Sequence, residues 1–79
     1  MEITGPSNVS APASVFVDGK RFLTVKKGET VPLDLEPGHY TLWARVGIEG
    51  TKKNEFDLVP GDRLTIVYHG LKGYEIVRG

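Results

Sequence analysis

No cysteine occurs in the chain, so disulfides, a thiolate nucleophile and a cysteine-based zinc centre are all excluded. Nor is there an excess of charge of either sign. Ten Lys and Arg balance ten Asp and Glu, for a formal net charge of zero. A nucleic-acid binder of this size needs a cationic surplus to displace counterions from phosphates, and the longest basic runs are the pairs Lys20-Arg21, Lys26-Lys27 and Lys52-Lys53. Nucleic acid and an anionic membrane surface are therefore not expected partners. No apolar run approaches the roughly 18–20 residues that span a bilayer, so membrane insertion is not expected either. Met1-Glu2-Ile3-Thr4-Gly5-Pro6 is no hydrophobic leader. Two compartments stay open on that basis: the cytoplasm for the chain as written, or export with a leader already removed.

Catalytic residue types are equally sparse. The last serine is Ser14, and no glycine-flanked nucleophile elbow exists. His39 and His69 are the only histidines, and no third ligand at suitable spacing accompanies them, so no metal site is expected. Asp57 and Asp62 flank Pro60-Gly61, where turn acids serve backbone N–H groups rather than a cleft. Gly70-Leu71-Lys72-Gly73 has the spacing of an RNA-binding loop but joins strands here, so it reads as a turn. Asn8-Val9-Ser10 is a formal glycosylation triplet of the kind that arises by chance. The expectation is a protein without catalysis and without a cofactor.

What the chain does have is turn chemistry between short alternating runs. Its 79 residues form one domain that buries a little over 60% of its unfolded surface by area scaling. Asp18-Gly19 separates two apolar runs, a two-residue hairpin pattern. Pro37-Gly38 and Pro60-Gly61 each place proline ahead of glycine, as a type II turn requires. Gly19, Gly38 and Gly61 are accordingly expected at positive φ, and Pro32 marks its strand as an edge. Strands are predicted near residues 14–17, 20–23, 30–35, 39–46, 54–59, 63–69 and 74–77, with no helix longer than two turns. About seven short strands predict an all-β fold, a small antiparallel β-sandwich of immunoglobulin-like type, with an open barrel as the alternative. Residues 1–13 read as a tail or a loose leading strand, and residues 14–79 as the single sandwich domain. The predicted core is Val15, Val17, Leu33, Leu35, Tyr40, Leu42, Phe56, Leu58, Leu64 and Ile66.

Three segments carry a family resemblance: Val15-Phe16-Val17-Asp18-Gly19-Lys20, Thr30-Val31-Pro32-Leu33 and Pro37-Gly38-His39-Tyr40-Thr41-Leu42. Together they resemble the PEGA-type surface domains of bacteria over residues 14–46. Val31 interrupts the usual Thr-Pro pair, and the Gly-Tyr usual after the fifth strand is missing. The resemblance implies a small β-sandwich module without catalysis, appended to envelope or signalling proteins.

The only tryptophan raises the functional question. Along residues 39–46, Tyr40, Leu42, Ala44 and Val46 share one parity, while His39, Thr41, Trp43 and Arg45 share the other. Only the first set is apolar throughout, so Trp43 should point outward. The same sorting of residues 63–69 turns Val67 and His69 outward. If the two strands are near each other, Trp43, His39, Arg45, Val67 and His69 form an exposed contact patch. Three coverings of Trp43 stay open: another part of this chain, a protein partner or second copy, or a carbohydrate stacked on Trp43 and Tyr74. The main reading is a non-enzymatic interaction module that contacts a protein partner or a second copy through the Trp43 face or a free strand edge. The alternatives are a carbohydrate-binding module or a spacer domain of a larger surface protein.

Overall fold

The computed structural model describes all 79 residues, Met1–Gly79, as two packed β-sheets with one turn of 3-10 helix. The strands are β1 (Glu2–Thr4), β2 (Ala13–Val17), β3 (Lys20–Val25), β4 (Thr30–Pro32), β5 (Gly38–Val46), β6 (Glu49–Gly50), β7 (Asn54–Leu58), β8 (Arg63–Tyr68) and β9 (Tyr74–Arg78). The 3-10 turn is Gly70–Lys72. One sheet has the order β4-β1-β8-β9. In the other, β3 pairs with β2 and β2 with β5, and both β6 and β7 pair with the far side of β5. The predicted small β-sandwich is the architecture found. No helix is long and apolar enough to cross a membrane.

Two of the predicted turns form for the expected reasons. Asp18 and Gly19 have φ of 50° and 85°, the doubled positive φ of a type I′ hairpin between β2 and β3. Asp18 is fixed further by two bonds with Thr41: its N–H donates to the Thr41 carbonyl and its Oδ1 accepts from the Thr41 N–H, both at 2.9 Å. Gly61 has φ of 91°, and the Val59 and Asp62 N–H groups close the turn through Asp62 Oδ2 and the Val59 carbonyl.

Gly38 departs from expectation. Its φ is not positive, and it opens β5 opposite Leu58. The physical reason is topological: β4 and β5 belong to different sheets, so the chain crosses the sandwich instead of reversing in a hairpin. The Tyr40 hydroxyl donates to the Glu36 carbonyl at 2.6 Å and holds that corner. A Cβ on Gly38 would meet only the Tyr40 ring, at 3.8 Å. Gly61→Ala should therefore cost about 1–2 kcal/mol from its left-handed backbone, and Gly38→Ala well under half of that. Denaturant midpoints of the two variants check the contrast.

The leading residues are also corrected. They form no tail. Glu2–Thr4 lies inside the first sheet, antiparallel to β4 and parallel to β8, with Ile3 fully buried. Ile3 is apolar and flanked by two polar residues, which suits a strand with one buried face. Gly5 and Pro6 are buried too, and a Cβ on Gly5 would collide with the Lys26 carbonyl oxygen.

The core joins Val15, Val17, Leu33, Leu42, Leu58, Leu64 and Ile66, as predicted, to Ile3, Ala13, Val25, Ala44, Val46 and Ile76. Leu35, Tyr40 and Phe56 are half-buried and pack at its margin. Arg78 closes one end of the flank between β9 and β7. Its guanidinium donates to the Asp57 carbonyl at 2.6 Å and lies 5.5 Å from the centre of the Phe56 ring.

Candidate functional site

Trp43 does stand on the outer face of the second sheet, between inward-facing Leu42 and Ala44. Antiparallel pairing sets Phe16 of β2 directly opposite it. The two rings stack with centroids 4.2 Å apart and planes 12° from parallel. Cations close the pair from both ends: the Lys53 ammonium lies 5.9 Å from the Trp43 ring and the Arg45 guanidinium 5.8 Å from the Phe16 ring. Contacts of this kind contribute about 0.5–1 kcal/mol each at exposed positions. Trp43 is half-buried, and its indole N–H is sealed from solvent without a hydrogen-bond partner.

Next to Phe16 the ladder shifts. Val15 pairs with Leu23 but Phe16 with Arg21, so Phe22 is the extra residue of a β-bulge. Phe22 is 41% exposed, and Arg21 is the cross-strand partner of Phe16. Arg21, Arg45 and Lys53 have no carboxylate within 4 Å, since the ion pairs of the molecule lie elsewhere.

The predicted patch assembles only in part. His39, Trp43 and Arg45 share the outer side of β5, as alternation requires. Val67 and His69 do not join them, because β8 belongs to the opposite sheet and turns its outward residues to the far side of the sandwich. Parity reports which residues face in, but it does not report which sheet a strand joins. Phe16, Arg21, Phe22 and Lys53 are the neighbours that sequence reasoning missed. Phe16 was within reach, because it alternates with inward Val15 and Val17.

His39 has a different environment. Its Nε2 lies 2.8 Å from Glu55 Oε1 and its Nδ1 lies 2.7 Å from Asp57 Oδ1. These hydrogen bonds, Glu55 first and Asp57 second, raise the imidazole above its ordinary value of 6.5. The ring is 56% exposed, so the group titrates freely. A raised folded-state value means that His39 adds stability when protonated, fully so below 6.5, and that the addition is lost as pH rises through the folded value. The expected result is a His39 ring proton that titrates above 6.5 and moves down in Glu55→Gln, followed by NMR.

Beyond the Trp43 edge, β5 loses its regular partner between β6 and β7. Thr51 turns inward there and replaces the missing ladder: its N–H donates to the Ala44 carbonyl at 2.8 Å, and its hydroxyl accepts from the Ala44 N–H at 2.9 Å. No group of three or more His, Cys, Asp or Glu is arranged to hold a metal ion. Comparison with family models, with curated proteins and with solved structures gives no match to this chain.

Proposed function

We propose that this domain is a non-catalytic interaction module whose contact surface is the outer face of the second sheet. The carrying observation is the Phe16–Trp43 stack, half-buried and bordered by Arg45 and Lys53, with Arg21 across the ladder from Phe16, all three lacking a carboxylate of their own. A stacked aromatic pair is rigid and apolar, and Arg with aromatic residues dominates the energetic centres of interfaces. The charge pattern selects the partner. Arg21, Arg45 and Lys53 fit an acidic protein segment with an apolar anchor, and complementary charge would speed and orient its encounter. A two-fold contact between copies centred on Trp43 would set these cations against one another, which disfavours self-association.

Carbohydrate stacking fits this face less well, because Phe16 and Lys53 already occupy the vicinity of the Trp43 ring. Tyr74 packs against Tyr68 with centroids 4.8 Å apart, on another part of the molecule. A role without catalysis also agrees with the resemblance of residues 14–46 to PEGA-type modules.

The test uses NMR amide and indole shifts on titration with a glutamate-rich peptide that carries one phenylalanine. Saturable shifts at Phe16, Arg21, Trp43, Arg45 and Lys53, lost in Arg45→Glu/Lys53→Glu, are expected. Trp43→Ala should weaken that binding by about 2 kcal/mol or more. No saturable shift on this face, or concentration-dependent dimerisation that Trp43→Ala abolishes, would overturn the reading.

A further inference from the structure

The flank between β9 and β7 is shut at its Arg78 end and open at the other. There the two sheets part into a cleft of about 420 Å³, lined mainly by Lys52, Asn54, His69, Lys72, Tyr74 and Glu75. We infer that this cleft is a binding site for a small polar oxyanion, a carboxylate or phosphate on a ligand of about monosaccharide size.

Its construction follows from features already described. The interruption of the strand opposite β5 turns Thr51 inward and places its two lysine neighbours apart, Lys53 near the Trp43 ring and Lys52 at the cleft. The 3-10 turn Gly70–Lys72, which opens on Gly70 and is closed by Gly73 at φ of 64° and 78°, brings Lys72 to the same opening from the first sheet. Gly50 contributes no side chain to the lining, and a Cβ there would press on the Ala44 carbonyl at 2.9 Å.

Hydrogen-bond donors predominate in the lining. Neither Lys52 nor Lys72 has a carboxylate within 4 Å. The one acid among the lining residues, Glu75, is engaged at 2.9 Å by His69 Nε2. The Tyr74 phenol, raised above its ordinary value first by partial burial and then by nearby Glu49 and Tyr68, keeps its proton and so remains a donor. Two lysines, a phenol and an amide therefore line the opening, beside Glu75 held by His69 and Glu49 near the Tyr74 ring. A donor-rich lining is matched by an acceptor-rich ligand. Tyr74 is the one residue of apolar type in this lining, and the volume lies within the usual ~300–1,000 Å³ of small-molecule sites.

The site is separate from the Phe16–Trp43 face, and the two proposals fail separately. Amide chemical shifts of the whole chain are followed at low ionic strength and at physiological salt, with galacturonate, inorganic phosphate and neutral galactose as probes. Saturable shifts at Lys52, Asn54, Lys72 and Tyr74 with either anion, weakened by salt and absent with galactose, are the expected result. A response to galacturonate alone assigns a carboxylate ligand, and a response to phosphate alone assigns a phosphate. Lys52→Ala and Lys72→Ala should each weaken binding about tenfold, as loss of one charge-assisted contact does, whereas Trp43→Ala leaves it unchanged. Shifts spread equally over Lys20, Lys26 and Lys27, equal shifts with galactose, indifference to both lysine variants, or no saturable response would overturn it.

Discussion

Removal of residues 1–5 abolishes cooperative folding: this is the largest effect the structure leads us to expect. Glu2–Thr4 separates β4 from β8, so without it β4 loses its only partner and the first sheet shrinks to the β8–β9 pair. The Glu2 N–H bond to the Asp62 carbonyl, the Leu33 N–H bond to the Met1 carbonyl and the Gly5 N–H bond to the Glu29 carbonyl disappear with it. Val31 of β4 and buried Leu64 of β8, the cross-strand partners of Ile3, face the gap that it leaves. A two-stranded remnant does not hold an apolar face against water on its own. The truncated chain should show no sigmoidal denaturant transition. The point variant Ile3→Ala, which keeps the backbone ladder, should fold but lose about 2–5 kcal/mol. Wild-type midpoints in both would mean that the leading strand is dispensable.

Leu42→Ala is expected to lower stability by about 2–5 kcal/mol. Leu42 is fully buried on the longest strand, between Val17 of β2 and Asn54 of β7. A domain of this size holds roughly 4–12 kcal/mol in total, so the variant gives up a large share. Its neighbour Trp43 supplies the internal control. Trp43→Ala removes an outer-face stack worth about 0.5–1.5 kcal/mol beyond its buried area, and should cost clearly less. The two losses, read from denaturant unfolding at unchanged slope, must fall in that order. The reverse order would mean that the inward and outward sides of β5 are exchanged.

These contrasts show which information was local. The Asp18-Gly19 and Pro60-Gly61 turns are written in adjacent residues, because positive φ needs a residue that tolerates it. The alternation of β5 and β8 likewise identified Leu42, Leu64 and Ile66 as core. What escaped was long-range. Ile3 is a single apolar residue in a polar neighbourhood, and only its partners Val31 and Leu64 make it a strand. Gly38 follows a proline like Gly61 does, yet the two connections differ because one crosses between sheets and the other stays at a tight turn. The candidate site failed at the same point. Trp43 was placed on the correct side, but Phe16, 27 positions earlier in the chain by numbering, becomes its neighbour only through β2–β5 pairing. Val67 and His69 were separated from it by sheet membership alone.

The parallel pairing of β1 with β8 has a consequence for the order of events at the ribosome. Of the strands of this domain β1 is made first, and it has one partner some thirty residues away and another about sixty residues away. Until Arg63–Tyr68 has emerged, β1 can form at most its edge with β4, and Ile3 has no Leu64 to pack against. The first sheet therefore closes late within this domain, and its rate is governed by closure of the β1–β8 span into one loop. The β2–β3 hairpin faces no such delay, since its turn closes on neighbouring residues within microseconds. Two strands alone do not hold the apolar sides of Val15 and Val17 from water, so the hairpin is secured only when β5 pairs with β2 and the first sheet covers both.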